Sequence, residues 1–93
     1  MPLYFVERNS PRLTVNGLIV AQLALVQASR RLAAAGVEIR YLRSTFVPRT
    51  SQSFCVFEAP GPDLVRRVND AAAFTFSCIE EAIDLPAPVS DQS

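Results

Sequence analysis

The spacing of apolar and polar residues divides this chain into six segments. Leu3 to Arg8 is short, apolar and ends in charge, which predicts a strand; Asn9-Ser10-Pro11 breaks it. Asn16 is placed to cap a helix running to about Ala35, with Gly36 as its stop and Arg30 and Arg31 near its negative end. Val37 to Val47 carries Val, Ile, Tyr, Thr and Phe and predicts a long second strand. Pro48 to Gln52 predicts a turn and Ser53 to Ala59 a third strand, ended by Pro60-Gly61-Pro62. Pro62 or Asp63 opens a second helix to about Ala73. Phe74 to Leu85 reads as a fourth strand, although Glu80-Glu81-Ala82 would also suit a helix.

Strand, helix, strand, strand, helix, strand is the order of an α+β, ferredoxin-like sandwich. Its antiparallel sheet runs fourth, first, third, second, and right-handed crossovers put both helices on one face. The other face then needs cover, and a second copy of the chain is the simplest one. Residues 1–85 form this domain, and 86–93 a polar, proline-containing flexible tail. On the first helix Leu18, Ala21, Leu25, Ala28 and Leu32 share the core stripe. A second apolar stripe, Ile19, Leu23 and Val26, calls for cover by the neighbouring helix or the tail, or else by another subunit.

Composition narrows the chemistry. The chain has no histidine, and all nine of its basic residues are arginine. The commonest metal ligand and neutral-pH acid/base group is therefore absent, as is lysine Schiff-base chemistry. Nine Asp and Glu balance the arginines, so there is no electrostatic footprint for nucleic acid or an anionic membrane. RNA recognition on this topology needs aromatics two apart on the third strand, whereas Phe54 and Phe57 are three apart. Met1-Pro2-Leu3-Tyr4 does not resemble a signal peptide, and the longest apolar stretch, Leu18 to Val26, is too short to span a membrane. Cys55 and Cys78 fit no zinc motif and read as buried thiols in a reducing cytoplasm. They lie on strands separated by the first, about 9–10 Å apart and beyond disulfide reach.

Several segments resemble a family of small bacterial proteins of unknown function. They are Tyr4-Phe5-Val6-Glu7-Arg8, Ile39-Arg40-Tyr41-Leu42-Arg43-Ser44, Cys55-Val56-Phe57-Glu58-Ala59-Pro60, Val65-Arg66, and Phe74, Ile79 and Glu81. The resemblance covers roughly residues 3 to 85. It implies a dimeric ferredoxin-like sandwich, and nickel binding in some members. This chain departs from that pattern where the chemistry would be. The family's second helix usually has a His after the Val-Arg pair, and here Arg67-Val68-Asn69 stands there. Its usual Gly-Gly-Phe-Pro turn here reads Ala72-Ala73-Phe74-Thr75. The chain thus resembles a divergent member that keeps the scaffold and lacks the family's nitrogen ligand. No cofactor is expected, nickel being implied by the resemblance alone.

Candidate ligand-binding residues are Tyr4, Tyr41, Arg43 and Glu58. The predicted sheet puts Glu58 beside Tyr4 and Glu7 beside Ser53, and a carboxylate next to a phenol can orient a polar ligand. A Glu58–Arg ion pair is the structural alternative. Arg40, Arg43 and Arg49 form a small basic patch that either grips an anion or keeps a sheet edge solvated. The leading expectation is a homodimeric binding or scaffolding module with weak or no metal binding. The alternatives are a nickel-binding protein, as in the resembled family, and an enzyme of the dimeric α+β barrel type. That enzyme would use Tyr4, Tyr41, Arg43 and Glu58 on a small molecule between sheet and helices.

Overall fold

The computed structural model describes residues 1–9, 11–12, 14–86 and 88. The tail expected from residue 86 onward lies almost wholly outside them. Six elements follow the expected order: β1 (Leu3–Asn9), α1 (Val15–Ala34), β2 (Arg40–Val47), β3 (Gln52–Glu58), α2 (Pro62–Ala71) and β4 (Cys78–Ala82). The sheet runs β2-β3-β1-β4, and every neighbouring pair is antiparallel. This is the ferredoxin-like α+β arrangement.

Both helices lie on one face of the sheet. On β1 the alternation buries Tyr4, Val6 and Arg8 beneath them and turns Leu3, Phe5 and Glu7 to the open face. From β3, Ser53, Cys55 and Phe57 point inward. With Leu25 and Ala28 of α1, Ile39, Ala59, and Val65 and Val68 of α2, they close a single core.

The cap of α1 is Thr14, two residues before the expected Asn16: its Oγ1 accepts the Gly17 N–H at 3.0 Å. A capping oxygen reaches the amide three residues on, so Asn16, already inside the first turn, has no such donor to serve. Gly36 ends α1 as expected. It takes φ +91°, while the Val37 and Gly36 amides donate to the Leu32 and Ala33 carbonyls. That is a Schellman closure, which needs a left-handed residue.

The same closure ends α2 without a glycine. Phe74 and Ala73 amides donate to Asn69 and Asp70, and Ala73 holds φ +55°. The chain then crosses to the sheet as Phe74 to Ser77, with Phe74 and Phe76 packed against the core, before β4 begins at Cys78. The fourth strand is therefore five residues long, and it is a strand rather than a helix. The expected stretch from Phe74 to Leu85 overran because the apolar residues at its start pack on the core before pairing begins.

The core stripe of α1 is buried at Leu25 and Ala28 and half-buried at Leu18, Ala21 and Leu32. The second stripe is left largely open: Ile19 is 49% and Leu23 54% exposed, while Val26 is half-buried. Among the described residues, no helix is long and apolar enough to cross a membrane.

Candidate functional site

The strand register separates the four expected site residues. Tyr4 faces Phe57, and Glu58 faces Leu3; likewise Arg8, not Glu7, faces Ser53. The pairing is offset by one residue from the expected one, and one residue in a strand is a change of face. Tyr4 is buried under the helices, whereas Glu58 is on the open face and binds Arg40 at 3.2 Å. Arg43 is also on the open side, paired with Asp84 at 3.1 Å. Both ion pairs are solvent-exposed at the arginine and structurally weak. Arg40 and Arg43 thus read as a solvated sheet edge.

Tyr41 alone of the four adjoins a polar cluster under α1. Its hydroxyl accepts from Gln22 Nε2 at 2.8 Å and hydrogen-bonds with Ser44 Oγ. Ser44 Oγ in turn lies 2.9 Å from Cys55 Sγ. A bulge in β2 makes this cluster. Tyr41 pairs with Phe57 but Arg43 with Val56, so Leu42 is an extra residue. Beyond it, Ser44 comes to face Cys55 on the helix side.

Beside the cluster lies a cavity of about 150 Å³, partly open to solvent, between α1 and strands β2 and β3. Val15, Leu18, Ile19 and Phe46 form much of its apolar wall; Gln22, Ser44, Ser53 and Cys55 give it polar groups. Phe74 closes one side.

Immediately behind that wall is a residue that sequence reasoning missed. Arg8 is only 1% exposed. Its Nη1 donates to Cys55 Sγ at 3.0 Å, and its guanidinium stacks 4.0 Å from the centre of the Phe74 ring. Among the described residues no carboxylate pairs with it, and its Nε and Nη2 have no acceptor. Ser53 Oγ, across the strand pair, is also buried without a partner. Burial pushes the Arg8 pKa below its ordinary value, and Cys55 and Tyr41 oppose the shift. A buried cation with free donors is costly unless an anion completes it. Alternation places Arg8 inside once Tyr4 and Val6 are known to be inside, but the continuous apolar run Leu3 to Val6 does not say which face that is.

The donor set does not suit nickel. The chain offers no imidazole, and among the described residues no three Cys, Asp or Glu side chains converge. Cys55 and Cys78 are both free and lie on opposite faces of the sheet. Cys55 is buried as expected, but beside a guanidinium, which repels a metal ion. Cys78 is half-exposed rather than buried, since it follows Glu7 onto the open face. Its thiol donates to Glu7 Oε2 at 3.5 Å, while Gln52 Nε2 donates to Glu7 Oε1 at 2.9 Å. Desolvation, and then the Glu7 carboxylate, push the Cys78 pKa up. Two donors held by protein partners make a poor site for an ion that prefers several nitrogen or sulfur ligands.

The crystal structure of SCO4226 from Streptomyces coelicolor A3(2) has the same fold, with a TM-score of 0.74. The match covers 91% of this chain and 99% of that one at 19% sequence identity. No curated protein matches the sequence. The family model described as "Nickel responsive protein SCO4226-like" matches residues 4–81. With that match over most of its length, the chain belongs to the family of SCO4226-like nickel-responsive proteins.

Proposed function

We propose that this chain is a homodimeric binding module that takes a small organic molecule between α1 and the sheet and does not hold nickel with ordinary strength. The observation that carries this reading is the cavity of about 150 Å³ with apolar walls and a few inward polar groups, which is how small-molecule sites are built. The family's description ties its members to nickel. Here the missing imidazole and the scattered carboxylates argue for a different cargo on the same scaffold. The catalytic alternative needs Tyr4, Tyr41, Arg43 and Glu58 together, and the sheet stands between the first two and the last two.

The dimer is supported by the open face of the sheet. Phe5 and Phe54 stack there with ring centres 5.0 Å apart; they and Leu3 are half-buried beside the buried Val56, and no helix among the described residues lies over them. A two-layer domain with one bare apolar face gains by covering it, and zero net charge does not oppose a second copy.

Titration of the purified chain with benzyl alcohol tests the binding reading. Amide NMR signals of Leu18, Ile19, Ser53 and Cys55 should shift together and saturate; unmoved signals overturn it. Calorimetry with Ni²⁺ should show nothing tighter than micromolar, and a nanomolar site would refute that part. Sedimentation should give twice the 10.2 kDa chain mass, with Phe54→Arg monomeric. A wild-type monomer at tens of micromolar removes the dimer.

A further inference from the structure

We propose that the occupant of the α1–sheet cavity is a small organic monocarboxylate, its carboxylate held at the Ser53–Cys55 end by the charge of Arg8 and its apolar body between α1 and β2. This rests on the binding reading above and names the ligand's class.

Three observations lead to it. The first is charge. Arg8 is buried and has no carboxylate partner among the described residues, while two of its guanidinium nitrogens have no acceptor. Arginine does not shed its proton to escape such a site. The second is position. The three residues around Arg8 are also cavity walls: Cys55 at 3.0 Å, Phe74 at 4.0 Å, and Ser53 directly across the strand pair. Ser53 is 4% exposed and its hydroxyl has no partner, so the wall itself presents an unused donor. An anion there is separated from the guanidinium by little more than the Cys55 and Phe74 side chains that form the wall, close enough for its charge to be felt. The third is shape. None of the lining residues is charged, so among the described residues Arg8 is the one cation against this wall and the site balances a monoanion, not phosphate or sulfate as dianions. Apart from Gln22, Ser44 and Thr45, the remaining wall is Val, Leu, Ile and Phe, which suits hydrocarbon. An apolar cavity of about 150 Å³ accommodates benzene, so the body has roughly six carbons with the carboxylate beyond it.

The test compares benzoate with its neutral isostere benzamide, with benzyl alcohol and inorganic phosphate as further probes. Binding to the full chain is read by amide NMR shifts and by the rise in Tm that a folded-state ligand produces. Benzoate should bind about ten-fold more tightly than benzamide, the usual scale of one charge-assisted contact. Phosphate should not bind. Arg8→Met should abolish the benzoate preference and leave benzyl alcohol binding intact. Ser53→Ala carries the same test should Arg8→Met give no cooperative unfolding transition; it should weaken benzoate alone. If benzoate and benzamide bind equally in the cavity, the carboxylate assignment is overturned while the binding reading stands. If no probe binds at all, both fall. If phosphate binds and benzoate does not, the pocket is an inorganic-anion site and this proposal is wrong.

Discussion

Removing the buried charge of Arg8 should make the protein more stable. Two of its guanidinium donors are unmade, and each unsatisfied buried donor costs about 1–3 kcal/mol. Stacking on Phe74 returns about 0.5–2 kcal/mol. The bond to Cys55 returns about 1 kcal/mol. The balance leaves the ligand-free fold carrying a deficit of about 1–3 kcal/mol at this one side chain. Met has similar reach, fills irregular space and needs no partner. Arg8→Met should therefore gain about 1–3 kcal/mol. In a domain of this length that is a Tm increase of roughly 5–20 °C. Urea unfolding followed by circular dichroism gives the number directly, with an unchanged slope showing that the folded state is equally compact. Arg8→Lys keeps the charge and loses the flat stacking, so it should lose stability. A loss of more than about 1 kcal/mol in Arg8→Met would mean that the guanidinium is compensated. The unpaired-cation argument, and the carboxylate site with it, would then fail.

Three further outcomes follow from the caps and the second thiol. Ala73→Gly should stabilise by about 0.5–1 kcal/mol in the same urea assay: a left-handed non-glycine residue costs about 1–2 kcal/mol, and the freer unfolded chain takes part of that back. A destabilised Ala73→Gly would show that its methyl packs. Thr14→Ala should lose about 1 kcal/mol by removing the α1 cap, while Asn16→Ala should change stability by less than half of that; the reverse order would refute the cap assignment. Cys78 should react with a thiol reagent only at higher pH than free cysteine, and Glu7→Gln should move that profile down, because desolvation and the Glu7 carboxylate both favour the protonated thiol. Its contribution to stability is full below the unfolded thiol range, about pH 8.5, and declines as pH rises through the folded-state value. An unshifted reactivity profile would count against the Glu7 contact.

Punctuation was legible in this sequence, and register was not. Gly36 marked the end of α1, and Pro60-Gly61-Pro62 the passage from β3 to α2, because glycine and proline restrict the backbone locally. The order of strands followed from the order of elements. The faces of β1 could not be read with the same ease. Leu3, Tyr4, Phe5 and Val6 are all apolar, so the two-residue alternation that would tell inside from outside is missing. The expected Tyr4–Glu58 pairing slipped by one residue for that reason, and the expected site came apart. Three of its four members are a core phenol and two partners in exposed ion pairs. Tyr41 alone adjoins the polar cluster. Arg8 looked like the charged end of a strand because the strand was taken to emerge there; it continues one residue to Asn9, and Arg8 stays inside. The bulge at Leu42 had no glycine to announce it.

That bulge acts as a phase shifter within a single strand. A regular β2 would present Tyr41 and Arg43 on the same side, and Ser44 on the other. One supernumerary residue lets the strand contribute Tyr41 before it and Ser44 after it to the same interior, while Arg43 is returned to solvent. The polar edge of the cavity and the solubility of the sheet edge therefore depend on Leu42 being held out of the ladder, not on two separate choices of residue. Deleting Leu42 changes no charge and removes only one aliphatic side chain. It would leave Tyr41, Arg43 and Ser44 opposite Phe57, Val56 and Cys55 as a regular ladder with their faces unchanged, whereas a regular strand that kept Leu42 in the ladder would carry Arg43 toward the core and Ser44 away from Cys55. In a small sheet, whether one residue is paired or bulged sets the face of every residue after it, and this scaffold has one such residue built into its edge strand.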